Sequence, residues 1–150
     1  LYYLQSREEV QWPALVASCG TATTIDCVDK DGCHLGGFIM AGLQTSLQAI
    51  SQRGAMLPKS MDIDDIHSGD MFPTDSKAAM IEASIGATLA MIDSQRARLA
   101  KTCQVSATEV SVMVTGGFST LIVSRLKDPG VIQSEHLVLC GAALAALNGR

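Results

Sequence analysis

The stretch SCGTATTIDCVDKDGCHLGG, residues 18–37, decides the fold. It closes an apolar run, ALVASC at 14–19, with a Cys-Gly-Thr turn, and then carries a β-branched run, ATTIDCVD at 22–29. A KDG turn at 30–32 leads into CHLGGFIM at 33–40. Runs of this length bounded by glycine and aspartate predict strands, and connections this short force consecutive strands to pair antiparallel. Working outward, Leu43, Leu47 and Ile50 recur at helical spacing beside Gln44, Gln48 and Gln52, with Gly54 as a C-cap. The stretch MLPKSMDIDDIHSGDMFPTDS, residues 56–76, is acidic, punctuated by Pro58, Gly69 and Pro73, and reads as one long connection and the most flexible part of the chain.

From Lys77 to Cys103, Ile81, Ile85, Leu89 and Ile92 mark a long helix capped by Asp75 or Ser76. VSVMVTGG is a buried strand entering a glycine pair, FSTLIVSRL a short helix, VIQS a short strand and LVLCGAALAALN a closing apolar helix. The order βββ-α-α-β-α-β-α predicts one α/β unit, a mixed sheet with helices on both faces. Residues 1–13 read as the end of a preceding helix or a linker, and 14–150 as the domain. The chain opens on Leu1 without an initiator methionine, as part of a longer protein would.

Composition sets the outer limits. At 150 residues, 47% of them hydrophobic and 17% charged, the chain supports one core of Ala, Leu, Ile, Val and Met. A net charge of -4, with no concentrated basic stripe, gives no electrostatic basis for binding nucleic acid or an anionic membrane. No apolar run approaches the roughly 18 residues of a membrane helix, and the first ten residues do not resemble an export signal. A cytoplasmic protein is expected. Five cysteines, an odd number without a C-x-x-C pair, read as reduced thiols. Cys33 and His34 are adjacent in a strand and point to opposite faces, so no metal site by Cys and His is expected.

Chemistry is therefore expected in the loops. CGTATT and VTGGFST each follow a strand and could present N–H groups and hydroxyls to a phosphate, while LGGFIMAGL leads into the first helix. None has the Walker or dinucleotide spacing, and each alone is an ordinary turn. Together they suggest a site in which Gly20 lets a phosphate approach the main chain and Thr21 and Thr23 donate hydroxyls. Asp26 and Asp29 either orient a cation or a water, or are solvated residues near a turn.

GTATTID, then DGCHLGGFIMAGLQTSLQAISQRGAMLP, then DSKAAMIEASIGA, VTGGFS and EHLVLCGAALA resemble, in order, the C-terminal half of the type III pantothenate kinases and the related Bvg accessory factors. The resemblance covers the chain from about residue 15 to its end. It implies a ribonuclease H-like, actin-like ATPase domain of the acetate-kinase, sugar-kinase, Hsp70 and actin superfamily. It further implies that Gly20, Thr21, Thr23, Gly116 and Gly117 bind ATP and that Ser76 contacts pantothenate. The implied reaction is phosphorylation of pantothenate by ATP, the first step of coenzyme A synthesis, with Mg²⁺ and a monovalent cation, K⁺ or NH₄⁺, in a homodimer. In this chain the long Ala- and Met-rich helix would form the dimer.

Three departures accompany the resemblance. Ser18 stands where the family holds its monovalent cation with an aspartate; Ala41 replaces a proline, and Phe118 an acidic residue. The N-terminal phosphate loop and the motif carrying the catalytic aspartate have no counterpart, so that aspartate is expected upstream of residue 1 and the isolated chain is expected to be inactive without its N-terminal half. The alternatives are a non-catalytic regulatory protein like the Bvg accessory factors, and a structural domain whose turns merely join strands.

Overall fold

The computed structural model describes residues 10–54, 56–57 and 72–147. Three strands, β1 (Ala14–Cys19), β2 (Ala22–Val28) and β3 (His34–Ala41), form the expected antiparallel meander. Helix α1 (Leu43–Arg53) follows at once, and α2 (Ser76–Cys103) comes after the acidic connection, whose residues 58–71 lie outside the described residues. A single 3₁₀ turn (Ala107–Glu109), β4 (Ser111–Thr115), α3 (Ser119–Leu126), β5 (Ile132–Gln133) and α4 (Leu137–Leu147) complete the order. The five strands lie in the order β3-β2-β1-β4-β5, with β4 parallel to β1 and β5 parallel to β4. This mixed sheet has the ribonuclease H-like topology expected of an actin-like ATPase domain.

Strand alternation divides the core in two. Leu15, Ala17, Cys19 and Ile25 point to one face, where they pack with Leu43 and Leu47 of α1, Ile81, Ile85, Ile92 and Leu99 of α2 and Ile122 of α3. Ala14 and Met113 point the other way and meet Val10 and Leu137, with Trp12, Val16 and Ile132 packed beside them. Val10 and Trp12, in the segment expected as a linker, are thus part of the second core; residues 1–9 lie outside the described residues.

Helix α2 begins one residue earlier than its periodicity indicates. Asp75 is the N-cap, its Oδ1 accepting from the Ala78 N–H at 3.0 Å, and Ser76 is the first helical residue. The helix stops at Gln104, which takes the left-handed conformation and bonds back to the last turn. Arg125 of α3 donates through both terminal nitrogens to Glu82 of α2, at 2.9 and 3.0 Å. Arg96 reaches the Ala107 carbonyl and the Asp128 carboxylate, tying α2 to the connections on either side of β4 and α3.

Candidate functional site

β1, β3, β4 and β5 all run in one direction, so their C-terminal ends share one edge of the sheet. At that edge the chain leaves β1 toward β2 and leaves β4 toward β5, so the two carboxyl ends form a topological switch point. In open α/β sheets this switch point is where ligands bind. All three glycine-bearing turns singled out in the sequence converge there.

The Gly20–Thr21 turn is clamped from both sides. The Thr21 carbonyl accepts from the Gly42 N–H at 3.0 Å and from the Thr45 hydroxyl at 2.7 Å. The Cys19 carbonyl accepts from the Phe118 N–H at 3.1 Å. Gly42 and Gly116 are glycines because this packing demands it: a Cβ on Gly42 would overlap the Gly20 carbonyl, and one on Gly116 would overlap the Cys19 carbonyl. Gly116 also sits at φ +92°, which L side chains rarely adopt. Gly20 differs, because a Cβ there would meet nothing closer than 3.9 Å. Packing among the described residues does not explain that glycine; open space outside the turn does. Among the described residues, no turn hydrogen bond engages the N–H groups of Thr21 or Gly117.

The other sequence-predicted residues are placed differently. Thr23 is fully buried in β2 with its hydroxyl beside the Cys19 thiol opposite, so it does not share the exposed surface of Thr21. Burial pushes the Cys19 thiol up to about 11, against a smaller opposing effect of the Thr23 hydroxyl. Ser18 is half-buried on the opposite face, level with Thr24 on β2 and Thr115 on β4. These three hydroxyl residues form one row across the sheet at the switch point. Ser76 is exposed at the start of α2, with no side-chain hydrogen bond among the described residues. α2 ends at the opposite edge, where β4 begins. At 28 residues it is about 42 Å long against about 20 Å for a six-residue strand, so its first turns overhang the edge that carries the glycine turns.

The carboxylates of the hairpin have structural work. Asp26 Oδ1 meets His34 Nε2 across β2 and β3 at 2.9 Å. Asp29 Oδ1 accepts from the N–H groups of Asp31 and Cys33, at 2.9 and 2.8 Å, and so builds the β2–β3 turn. Among the described residues no group of three His, Cys, Asp or Glu side chains could hold a metal ion, and no helix is long and apolar enough to cross a membrane. Thr45, Thr24 and Thr115 were not singled out from sequence. Thr45 carried a signal in retrospect, a hydroxyl one helical turn after a glycine N-cap, but its partner lies 24 residues away.

Residues 3–98 match the sequence model of the family described as Type III pantothenate kinase. Among curated relatives, the type III pantothenate kinase of Herminiimonas arsenicoxydans is 31% identical over 138 residues, which are 91% of this chain and 51% of that protein. That of Stenotrophomonas maltophilia (strain K279a) is 33% identical over 147 residues, 97% of this chain and 56% of the relative. The chain spans about half the length of the curated relatives it matches. A solved structure of a conserved Baf family protein from Campylobacter jejuni superposes with a TM-score of 0.64 at 20% identity, covering 98% of this chain and 62% of the other, and shares the fold.

Proposed function

The chain belongs to the type III pantothenate kinase family, and on that premise we propose that it forms the C-terminal half of an enzyme that moves the ATP γ-phosphoryl group to the primary hydroxyl of pantothenate. The observation that carries the assignment is Gly20: a glycine the protein's packing does not require, in a turn held rigid by Gly42, Thr45 and Gly116, at the carboxyl ends of β1 and β4. Gly20, Thr21, Gly116 and Gly117 receive the phosphates, with the N–H groups of Thr21 and Gly117 and the Thr21 hydroxyl as donors. Thr23 supports the turn from inside. ATP brings the transferable phosphoryl group; the chain contributes positioning and hydrogen bonds, which suits a transfer with little covalent work for the protein.

Ser76, on the overhang of α2, contacts the acceptor pantothenate. The metal requirements divide. Ser18, Thr24 and Thr115 offer neutral oxygens only, so a monovalent cation held by that row would find no carboxylate within it. Mg²⁺ would come with the nucleotide's phosphates, held by the half of the enzyme that carries the catalytic aspartate.

That other half has a surface ready for it. α4 is apolar around its circumference, yet Val138 and Leu139 are each 68% exposed and Leu147 82% exposed. An all-round apolar helix belongs in an interior. We place the N-terminal half against α4, and a second copy against α2, whose exposed residues Ala79, Ala83, Gly86, Ala87 and Ala90 permit close helix approach.

Calorimetry with MgATP and a coupled assay of pantothenate phosphorylation test the reading. The chain binds MgATP, Gly20→Val removes that binding without lowering the melting temperature, and turnover appears only when an N-terminal half is supplied in trans. Leu139→Asp prevents that complementation. Turnover by the chain alone sinks the two-half proposal; unchanged ATP binding in Gly20→Val sinks the nucleotide site. Ser18 favours a second reading, a non-catalytic binding protein. Under it neither K⁺ nor Ser18→Asp changes nucleotide affinity, whereas a tenfold gain for Ser18→Asp in K⁺ supports a cation pocket weakened by one substitution.

A further inference from the structure

On the helix-covered face, α2 does not close against the edge strand β3. Between them lies a cavity of about 500 Å³ lined by Cys27, Leu35, Gly36, Gly37, Phe38, Gln95, Arg98, Leu99 and Thr102, within the size range of small-molecule sites. Its apolar walls stay wet: Leu35 is 50% exposed and Phe38 39%. A second hollow of about 220 Å³ shares Leu35 and Thr102 with it and reaches Lys30 at the β2–β3 turn. Cys27 lies five strand residues from the end of β2 that meets the Gly20–Thr21 turn, about 17 Å away, so this cleft is separate from the phosphate edge.

The cleft holds one unpaired charged group and one weakly bonded amide. Arg98 makes no ion pair or side-chain hydrogen bond among the described residues, whereas the neighbouring Arg96 and Arg125 are both paired with carboxylates. Gln95 is 5% exposed, and its carboxamide has one hydrogen bond, from Nε2 to the Met91 sulfur at 3.3 Å. A thioether is a weak acceptor for that N–H.

We propose that this cleft binds a small amphipathic carboxylate. Its alkyl body lies on Leu35, Phe38 and Leu99, and its carboxylate meets the Arg98 guanidinium. An unpaired guanidinium beside an apolar wall sets the sign of the ligand's charge. The adjoining hollow carries Asp29 and Asp31 against the single cation Lys30, a net negative end that disfavours a second anionic group there and points to a monoanion.

Titration of the ¹⁵N-labelled chain with octanoate, followed by amide chemical shifts, tests this. Saturable shifts are expected at Gly36, Phe38, Leu99 and Thr102, with octanol at least tenfold weaker. Arg98→Gln, an exposed change that leaves the melting temperature intact, weakens octanoate about tenfold. Phe38→Ala weakens octanoate and octanol alike. No saturable shifts up to low millimolar, equal affinity for Arg98→Gln, or shifts confined to the Gly20–Thr21 turn overturns the proposal. So does a dimer that sedimentation shows to be dissociated by Leu35→Asp, because the cleft is then an interface between copies. Loss of ATP binding by Gly20→Val has no bearing on this outcome, so the two readings fail independently.

Discussion

At the scale of single residues, the site rests on glycines whose roles differ although they look alike in sequence. Gly116 is required by the fold. Its φ of +92° and its closeness to the Cys19 carbonyl leave no place for a Cβ. Gly116→Ala is expected to cost about 3 kcal/mol or more, read from the urea midpoint, because backbone strain and overlap add. A cost under about 1 kcal/mol would show that the β4–α3 turn relaxes freely and does not hold the Gly20–Thr21 turn. The sequence identified the glycines as a set. It could not say that Gly42 and Gly116 face the turn while Gly20 faces out, because that depends on contacts across more than 20 residues and across two strand pairings. Thr23 shows the same limit: β2's period puts it on one face, but only the packing of α1 and α2 makes that face the inside.

At the scale of elements, the connections around β4 depend on one arginine. Arg96 lies at the middle of a polar network, donating to Ala107 O at 2.8 Å and to Asp128 Oδ2 at 2.6 Å. The hydrogen bond from Arg96, then the Gly130 N–H, hold the Asp128 carboxyl below its usual range. A depressed carboxylate stabilises the fold above its unfolded pKa of about 3.9, and that contribution disappears as pH falls through the lower folded value. Arg96→Met should therefore cost about 1–2 kcal/mol at pH 7, with the difference from the parent chain shrinking below about pH 4. The part due to Ala107 persists at low pH. A difference independent of pH would assign the whole effect to Ala107. Periodicity found α2 to within one residue at its start, but the network was not legible, since Arg96 and Asp128 are 32 residues apart.

At the scale of the whole molecule, the surfaces left uncovered are as informative as the core. Gly86 lies in the middle of α2 with open space where a Cβ would be, so no contact among the described residues explains a residue that costs about 1 kcal/mol relative to Ala in a helix interior. Its place in the exposed Ala79 to Ala90 stripe supports the proposed helix contact between copies. Gly86→Arg is expected to raise or leave unchanged the melting temperature while shifting sedimentation to the monomer. An unchanged sedimentation coefficient would remove α2 from the interface. By itself the sequence determined the βββ-α-α-β-α-β-α order, the strand faces and the family, because periodicity, turn residues and ordered motifs are local properties of a chain. The tertiary structure alone decided which glycine turns meet, that Thr23 turns inward, that Arg98 stands unpaired beside an open cleft, and that an apolar helix is left exposed, because each of these is set by which distant surfaces come into contact and which do not.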